Sequence, residues 1–498
     1  MAMPARALPG VLGWAALGLV LAGLALVRPL DHDESQYVAA TVLAARGWLY
    51  RDFAYLQTPL QPLLLAPLAA LAGMWAWPVL RLANAAMVMA ALMLFHRGAR
   101  QSGVAPALAT GVTALFAGSD IVLFCAGVAR NDALPLLLYC AALPPMLRAA
   151  EGRGNNAGAL AAGLLLAGAA AAKLSYGVIA LAYGVYALAA RRHRPAWLLL
   201  GAVPLALLCL CCAVRAPGAF WFEMIDFPVR APSEWYLAQG AGWKLSLPMR
   251  LVDLAKFLAL GAPLPALLLV AWHRARTPQE RLLDLLIVAG LIAAFAPVPI
   301  WRQYLLPVLP PLFLRLALLW QARPPGRATR VALAVFVAAG LSFTGQGLWQ
   351  ARGGVPMLRA RAESAAIGAA YRAAGARGAV ATLSPQYLPA AGLAIDPRFA
   401  AGPFYFRSTG LLSAADEARF GLVSKARLQS AAPPAVLLTG APLRDTISEA
   451  SQDGALIAYA RRHHFHAQPV PGTSFTLWLP PPTTRPVAST APIIVTSQ

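Results

Sequence analysis

Apolar residues in this chain come in long unbroken blocks, unlike the spaced stripe of a water-soluble helix or the alternation of a half-buried strand. Crossing the hydrocarbon of a bilayer takes about 20 such residues per helix. On that rule, spans are expected near residues 11 to 30, 78 to 95, 104 to 120, 132 to 148, 157 to 172, 174 to 190, 196 to 214, 251 to 271, 282 to 298, 303 to 320 and 331 to 349, eleven in all. The predicted fold class is mainly α, a polytopic membrane protein. No small-residue cleavage site follows the first block, which reads as a retained anchor and not as a signal peptide.

Charge sets the orientation. HRGAR (96 to 100), RAAEGRG (148 to 154), RRHR (191 to 194), HRARTPQER (273 to 281) and RPPGRATR (323 to 330) occupy alternate connections, so those connections are assigned to the cytoplasm by the positive-inside rule. An odd number of spans then places residues 350 to 498 on the opposite side. The loop from 31 to 77, the tryptophan-rich loop from 214 to 250 and the turn at 297 to 303 share that side, which is the periplasm if the membrane is the inner membrane of a Gram-negative bacterium and the outer face otherwise. The formal net charge of +21 would suggest nucleic acid on a soluble domain, but scattered between apolar blocks it is topological. With 59% hydrophobic and 12% charged residues, a water-soluble globular domain is excluded.

Residues 1 to 349 are thus expected to form the membrane domain and 350 to 480 an α/β domain. Within the latter, 378 to 384 and 435 to 441 read as short buried strands and 447 to 463 as a helix, while the Pro- and Thr-rich stretch 481 to 498 reads as a disordered tail. Cys125, Cys140, Cys209, Cys211 and Cys212 lie in apolar blocks without a CxxC pair, so buried thiols are expected over a metal or disulfide.

Candidate chemistry concentrates at the non-cytoplasmic ends of the spans. DHDESQYV (31 to 38) puts Asp33 and Glu34 just outside the first block, where a helix in lipid has no need of them. Asp33 with Gln36 also forms a capping-box pattern opening a helix toward Gly47, yet a cap uses one oxygen and His32, Asp33 and Glu34 follow in succession. Arg81, Arg130, Lys173 and Arg302 are cations on the side where insertion disfavours them, which suggests a pocket for an anion such as a lipid phosphate. The plainer alternative is snorkelling or local pairing, as of Arg130 with Asp132.

Taken in order, Asp33, Glu34 and Tyr37, then GWLYRDF (47 to 53) with Pro59 and Pro62, and WRQYLLPVLPPLFL (301 to 314), resemble the GT-C superfamily of lipid-dependent glycosyltransferases. The likeness is closest to bacterial relatives of protein O-mannosyltransferases and of lipid A aminoarabinose or galacturonic acid transferases, and it extends over essentially the whole chain. It implies a GT-C-like membrane domain with an extracytoplasmic C-terminal domain. It further implies transfer of a sugar, by a hexosyl- or pentosyltransferase, from a polyprenyl-phosphate donor to an acceptor hydroxyl on a lipid, glycan or protein. Asp33 would be the general base, with Glu34 and Asp52 as supporting acids. Arg302, Tyr304 and Lys173, with Arg51 and Arg81 as lesser candidates, would bind the donor phosphate; Tyr37, Gln57 and Gln303 would contact substrate.

Direct attack by the acceptor inverts the anomeric centre, whereas a second carboxylate placed as nucleophile would retain it. No cofactor is expected: Asp33 and Glu34 are oxygen ligands suited to Mg²⁺ or Mn²⁺, but no third ligand accompanies them. His463, His464 and His466 read as a solvated helix end, and Trp221, Trp235, Tyr236 and Trp243 as an interfacial aromatic belt. The rival functions are a transporter or flippase of lipid-linked saccharides, which would place charges near the bilayer midplane in two related halves, and an assembly subunit that tolerates loss of Asp33.

Overall fold

A computed structural model describes residues 8 to 441 and 452 to 481. Each apolar block is helical, but the blocks are not equivalent spans. Among the described residues, six helical segments have the length and composition to cross a bilayer, including Gly10–Val27, Ala133–Ala150, Pro195–Arg215 and Arg327–Gly353. Asn156–Ala172 and Tyr176–Ala189 are apolar but shorter, and Pro278–Phe295 carries Glu280, Arg281 and Asp284. Two expected straight spans are broken: Pro106–Ala117 meets Asp120–Ala126 at 70°, and Leu247–Ala259 meets Pro263–Trp272 at 101°.

The two breaks face each other, which explains why they exist. The Asp120 amide donates to the Leu260 carbonyl at 3.1 Å, so backbone groups freed by one bend satisfy those of the other. Contact this close requires absent side chains. Gly261 has φ +124°, and a Cβ on Gly340 of the neighbouring helix would sit 2.8 Å from the Gly261 nitrogen. The result is a short helix beginning at a buried carboxylate, Asp120.

The loop from 31 to 77 is mostly helical, with Glu34–Leu43 and Leu60–Ala72. Asp33 stands at the N-cap of the first, but its side chain makes no cap bond. The capping alternative is thereby set aside: its oxygens are taken by His32 and Arg130. The loop from 214 to 250 folds as helix Pro217–Trp221, a π-helical turn Phe222–Asp226 and helix Phe227–Ala238.

Beyond Arg327–Gln350, helix Pro356–Ala373 leads to a four-stranded sheet of β1 (Val380–Ala381), β2 (Val436–Thr439), β3 (His466–Pro469) and β4 (Thr476–Leu479), in the order β1-β2-β4-β3. β1 and β2 are parallel, with Val380 opposite Val436; β4 is antiparallel to both of its neighbours, with Leu437 opposite Trp478 and His466 opposite Leu479. β1 and β2 are shorter than expected, and the exposed, polar β3 had no pattern to betray it. The expected helix at 447 to 463 is present as Gly454–Arg462; its start, like residues 482 to 498 of the expected tail, lies outside the described residues.

One apolar core fills the space between the membrane helices, with Phe95, Phe116, Leu286 and Leu312 wholly or almost wholly buried. A second is shared between parts of the chain far apart in sequence: Tyr50 and Tyr55 from the first loop, Phe220 and Phe227 from the second, and Tyr387, Tyr405 and Leu477 from the C-terminal region. The sheet region is consequently packed onto the two loops as one body with them.

Candidate active site

Where these loops meet the ends of the helices lies a cavity of about 540 Å³. Its charged wall is one connected network. Asp33 Oδ1 accepts from His32 Nε2 at 2.8 Å, and its Oδ2 pairs with Arg130 Nη1. The same Arg130 reaches Asp31 Oδ2 at 3.4 Å and, through Nε, Asp132 Oδ2 at 3.5 Å. Asp132 Oδ1 in turn pairs with Lys173 Nζ, which lies 5.5 Å from the Tyr304 ring. Arg130 and Asp132 sit in the turn that leads into Ala133–Ala150, and Lys173 is the C-cap of Asn156–Ala172, so two helix ends deliver the cations to the acids of a third segment.

A second group of charges adjoins it. Asp120, fully buried, accepts from Arg302 Nη1 at 2.9 Å and has Arg28 Nη2 at 3.9 Å. The guanidinium carbons of Arg302, Arg28 and Arg130 surround the Phe124 ring at 4.1, 5.0 and 5.6 Å from its centroid. Two arginines sharing one carboxylate leave positive charge uncompensated. Burial and the neighbouring Arg302 charge bring Arg28 down to about 10, which keeps it protonated at neutral pH.

Burial by itself would raise the Asp33 carboxyl, but Arg130 and then His32 outweigh it and hold the group well below the usual carboxylate range. Burial likewise opposes charge on His32, and Asp33 outweighs it, setting the imidazole above its ordinary 6.5.

An aromatic wall closes the other side. Phe227, Ala231 and Trp235 come from one face of Phe227–Ala238, Trp301 from the turn before Arg302, and Phe404 and Arg407 from the C-terminal region. Ser408 Oγ donates to the Ala231 carbonyl at 2.8 Å and the Gly410 amide to Glu234 Oε1 at 2.7 Å, fastening that region to the wall helix. Trp235 is thus buried and structural to the cavity, a correction to its reading as belt, whereas Trp221 and Trp243 are exposed.

Of the residues expected at the site, Asp33, Lys173, Arg302, Tyr304, Tyr37, Gln57 and Gln303 all line this cavity. Gln57 is held by Tyr50 Oη on its carbonyl (2.6 Å) and Asn131 Nδ2 on its side chain (3.1 Å). Four others do not line it. Glu34 and Arg81 form a wholly buried pair, the carboxylate also accepting from Trp77 Nε1 at 3.2 Å and the Ala129 amide at 2.7 Å. Arg51 and Asp52 bond each other at the surface, with Asp52 also accepting from the Trp48 amide. Their placement corrects the expectation that they act as supporting acids or phosphate binders.

Arg28, Asp120 and Arg407 were not singled out in the sequence. Arg28 and Asp120 are lone charges at the ends of the expected blocks 11 to 30 and 104 to 120, so both carried the kind of signal that found Arg302. Arg407 carried none. Asp31, His32 and Asp33 are the one group among the described residues with three ligand atoms mutually close, within 4.8 Å. Arg130 already engages both carboxylates there, so the donor set does not suit a divalent ion.

No protein-family model and no curated protein sequence matches the chain. Its fold has solved counterparts. ArnT from Cupriavidus metallidurans, bound to undecaprenyl phosphate, superposes with a TM-score of 0.59 at 15% identity over 94% of this chain and 98% of that one. The apo form of the same protein gives 0.57 at 15% identity over 95% and 98%. The S. cerevisiae protein O-mannosyltransferase Pmt1-Pmt2 complex bound to the sugar donor overlaps in part, at 0.33 and 16% identity over 49% and 35%. Over nearly its whole length the chain shares the polytopic helical fold of ArnT.

Proposed function

We propose that the protein is a glycosyltransferase that moves a sugar from a polyprenyl-phosphate carrier to an acceptor hydroxyl at the periplasmic face of the bacterial inner membrane. The observation that carries this is the convergence of Asp33 with Arg28, Arg130, Lys173 and Arg302 in one cavity walled by aromatic side chains. Likeness to a fold that holds undecaprenyl phosphate in ArnT supports it.

In this mechanism the carrier phosphate lies against Arg28 and Arg302, where charge is in excess, with Lys173 and Tyr304 beside them. The acceptor oxygen attacks the anomeric carbon, its proton passes to Asp33, and the bond from that carbon to the phosphate oxygen breaks with its electron pair on the departing polyprenyl phosphate. Cations aimed at the phosphate stabilise the charge that develops there, and a single displacement inverts the anomeric centre. No metal takes part.

A carboxylate with a strongly depressed pKa is a weak base. Asp33 gains basicity when Arg130 is drawn toward an incoming phosphate and His32 is neutral, so donor binding and base activation are coupled. Arg407 and Phe404 define the acceptor side, reaching His32 through the Phe404 ring at 6.5 Å. The transporter reading is disfavoured because the connected charges gather at helix ends. Mass spectrometry of lipids copurifying with the protein tests the proposal: a prenyl-phosphoryl sugar is expected, and recovery of membrane phospholipids only would count against it.

A further inference from the structure

Glu223 has no part in the chemistry above, yet it is the one acid of the second loop that is completely enclosed. It lies in the π-helical turn Phe222–Asp226, between Pro217–Trp221 and the wall helix Phe227–Ala238. Its Oε2 accepts from the Tyr55 amide at 2.8 Å, a contact between residues 168 apart in sequence. Its Oε1 has no hydrogen-bond partner, and neither have the nearby Tyr55 and Tyr405 hydroxyls. The surroundings are aromatic: Phe227 packs edge-on against Tyr405 at 4.7 Å, and Tyr37 against Tyr55 at 6.2 Å.

A buried carboxyl kept for one hydrogen bond is costly, and a widened π turn is a local departure from regular helix often found at functional sites. Together they need a compensating role, and position supplies one. Tyr55 is followed by Leu56 and Gln57, which line the cavity next to Asp33; Glu223 is followed by Phe227, Ala231 and Trp235, which line it opposite.

We infer that Glu223 is a positioning residue, a tether that sets the distance between the Gln57 segment and the aromatic wall helix and so fixes the width of the cavity. Either protonation state can accept the Tyr55 amide, and burial favours the neutral acid. Burial pushes the carboxyl well above the ordinary carboxylate range, opposed only in part by the Tyr55 amide. The ionisable groups that face it are the phenols of Tyr50 and Tyr405, themselves pushed upward by burial. The tether is a statement of geometry; its consequence for turnover rests on the transferase reading.

Hydrogen exchange read by mass spectrometry on the full-length protein in lipid nanodiscs tests the tether. Losing the Tyr55 partner in E223L is expected to speed exchange about tenfold at 54–58 and 226–236, with strand 436–439 unchanged. E223Q, which keeps an uncharged acceptor of the same shape, is expected to exchange like the wild type. E223D retains the acid but withdraws it by one methylene and is expected to loosen both segments, which keeps the test decisive if E223L does not fold.

Unchanged exchange in E223D, or E223Q behaving as E223L does, would overturn the tether. Retention of undecaprenyl phosphate is measured on the same samples. It is expected to weaken in E223D and not in E223Q. Absence of retention by the wild type would sink the transferase reading and leave the exchange result to judge Glu223 by itself.

Discussion

Arg81 grips Glu34 through two nitrogens, Nε to Oε1 at 2.7 Å and Nη2 to Oε2 at 2.5 Å, with both side chains wholly buried. The same guanidinium donates to the carbonyls of Arg28 at 2.9 Å and Pro29 at 3.2 Å, so the pair pins the end of the first helix to the loop that carries Asp33. Removing one partner strands a buried charge. E34A or R81A should therefore lose about 3–5 kcal/mol of stability, read as a lower melting temperature in detergent. An unchanged melt would contradict the structural role given to the pair.

Asp33 is different because it is partly open to the cavity. D33N keeps the shape while removing the base and the charge paired with Arg130, so the protein should still fold, with a lowered melt. Sugar transfer should fall by about 10²–10⁴, measured by release of polyprenyl phosphate under saturating donor. Turnover within a few-fold of wild type would dismiss Asp33 from the mechanism.

The His32–Asp33 pair makes stability depend on pH in a definite direction. His32 is held above its ordinary 6.5, so its contribution is complete below that value and disappears as pH rises through the raised one. Asp33 is held below its ordinary 3.8, so its contribution is present above 3.8 and is lost only as pH falls through the lowered value. Both operate between 3.8 and 6.5. Raising pH from about 6 to about 9 should lower the wild-type melting temperature more than that of H32Q, and equal slopes would be inconsistent with the pair. Activity should move the opposite way over this range, since neutral His32 releases Asp33 as a base.

Under the proposed mechanism, the excess charge over Phe124 makes Arg28 and Arg302 the main phosphate contacts. Replacing either with Ala should weaken retention of undecaprenyl phosphate by about tenfold to a hundredfold, the value of one charge-assisted hydrogen bond. R51A and D52A, at the surface and remote from the cavity, should leave retention unchanged. Equal losses in both sets would mean that the assay reports bulk charge and not this site.

Much of this arrangement was legible in the sequence because membranes impose strict rules. Lipid forces apolar blocks into helices, and each expected block is helical. A charge at the end of an apolar span must have a partner or a task, which drew out Arg130, Lys173 and Arg302, all lining the cavity, and Arg81, which is buried against Glu34 instead. What separated Arg81 from Arg302 was which carboxylate each met, Glu34 in a closed pocket or Asp120 beside an open one.

The sequence by itself determined the helices, the segments that carry charge and the order in which they follow. Tertiary structure alone decided which acids are catalytic candidates and which are buried supports, because adjacent residues such as Asp33 and Glu34 point to opposite environments once the helix they begin is docked. It also decided that residues from beyond 400 complete the cavity and that Glu223 reaches Tyr55 across 168 positions. Local pattern records what each segment prefers; contacts between segments distant in the chain depend on how all of them pack, and no periodicity encodes that.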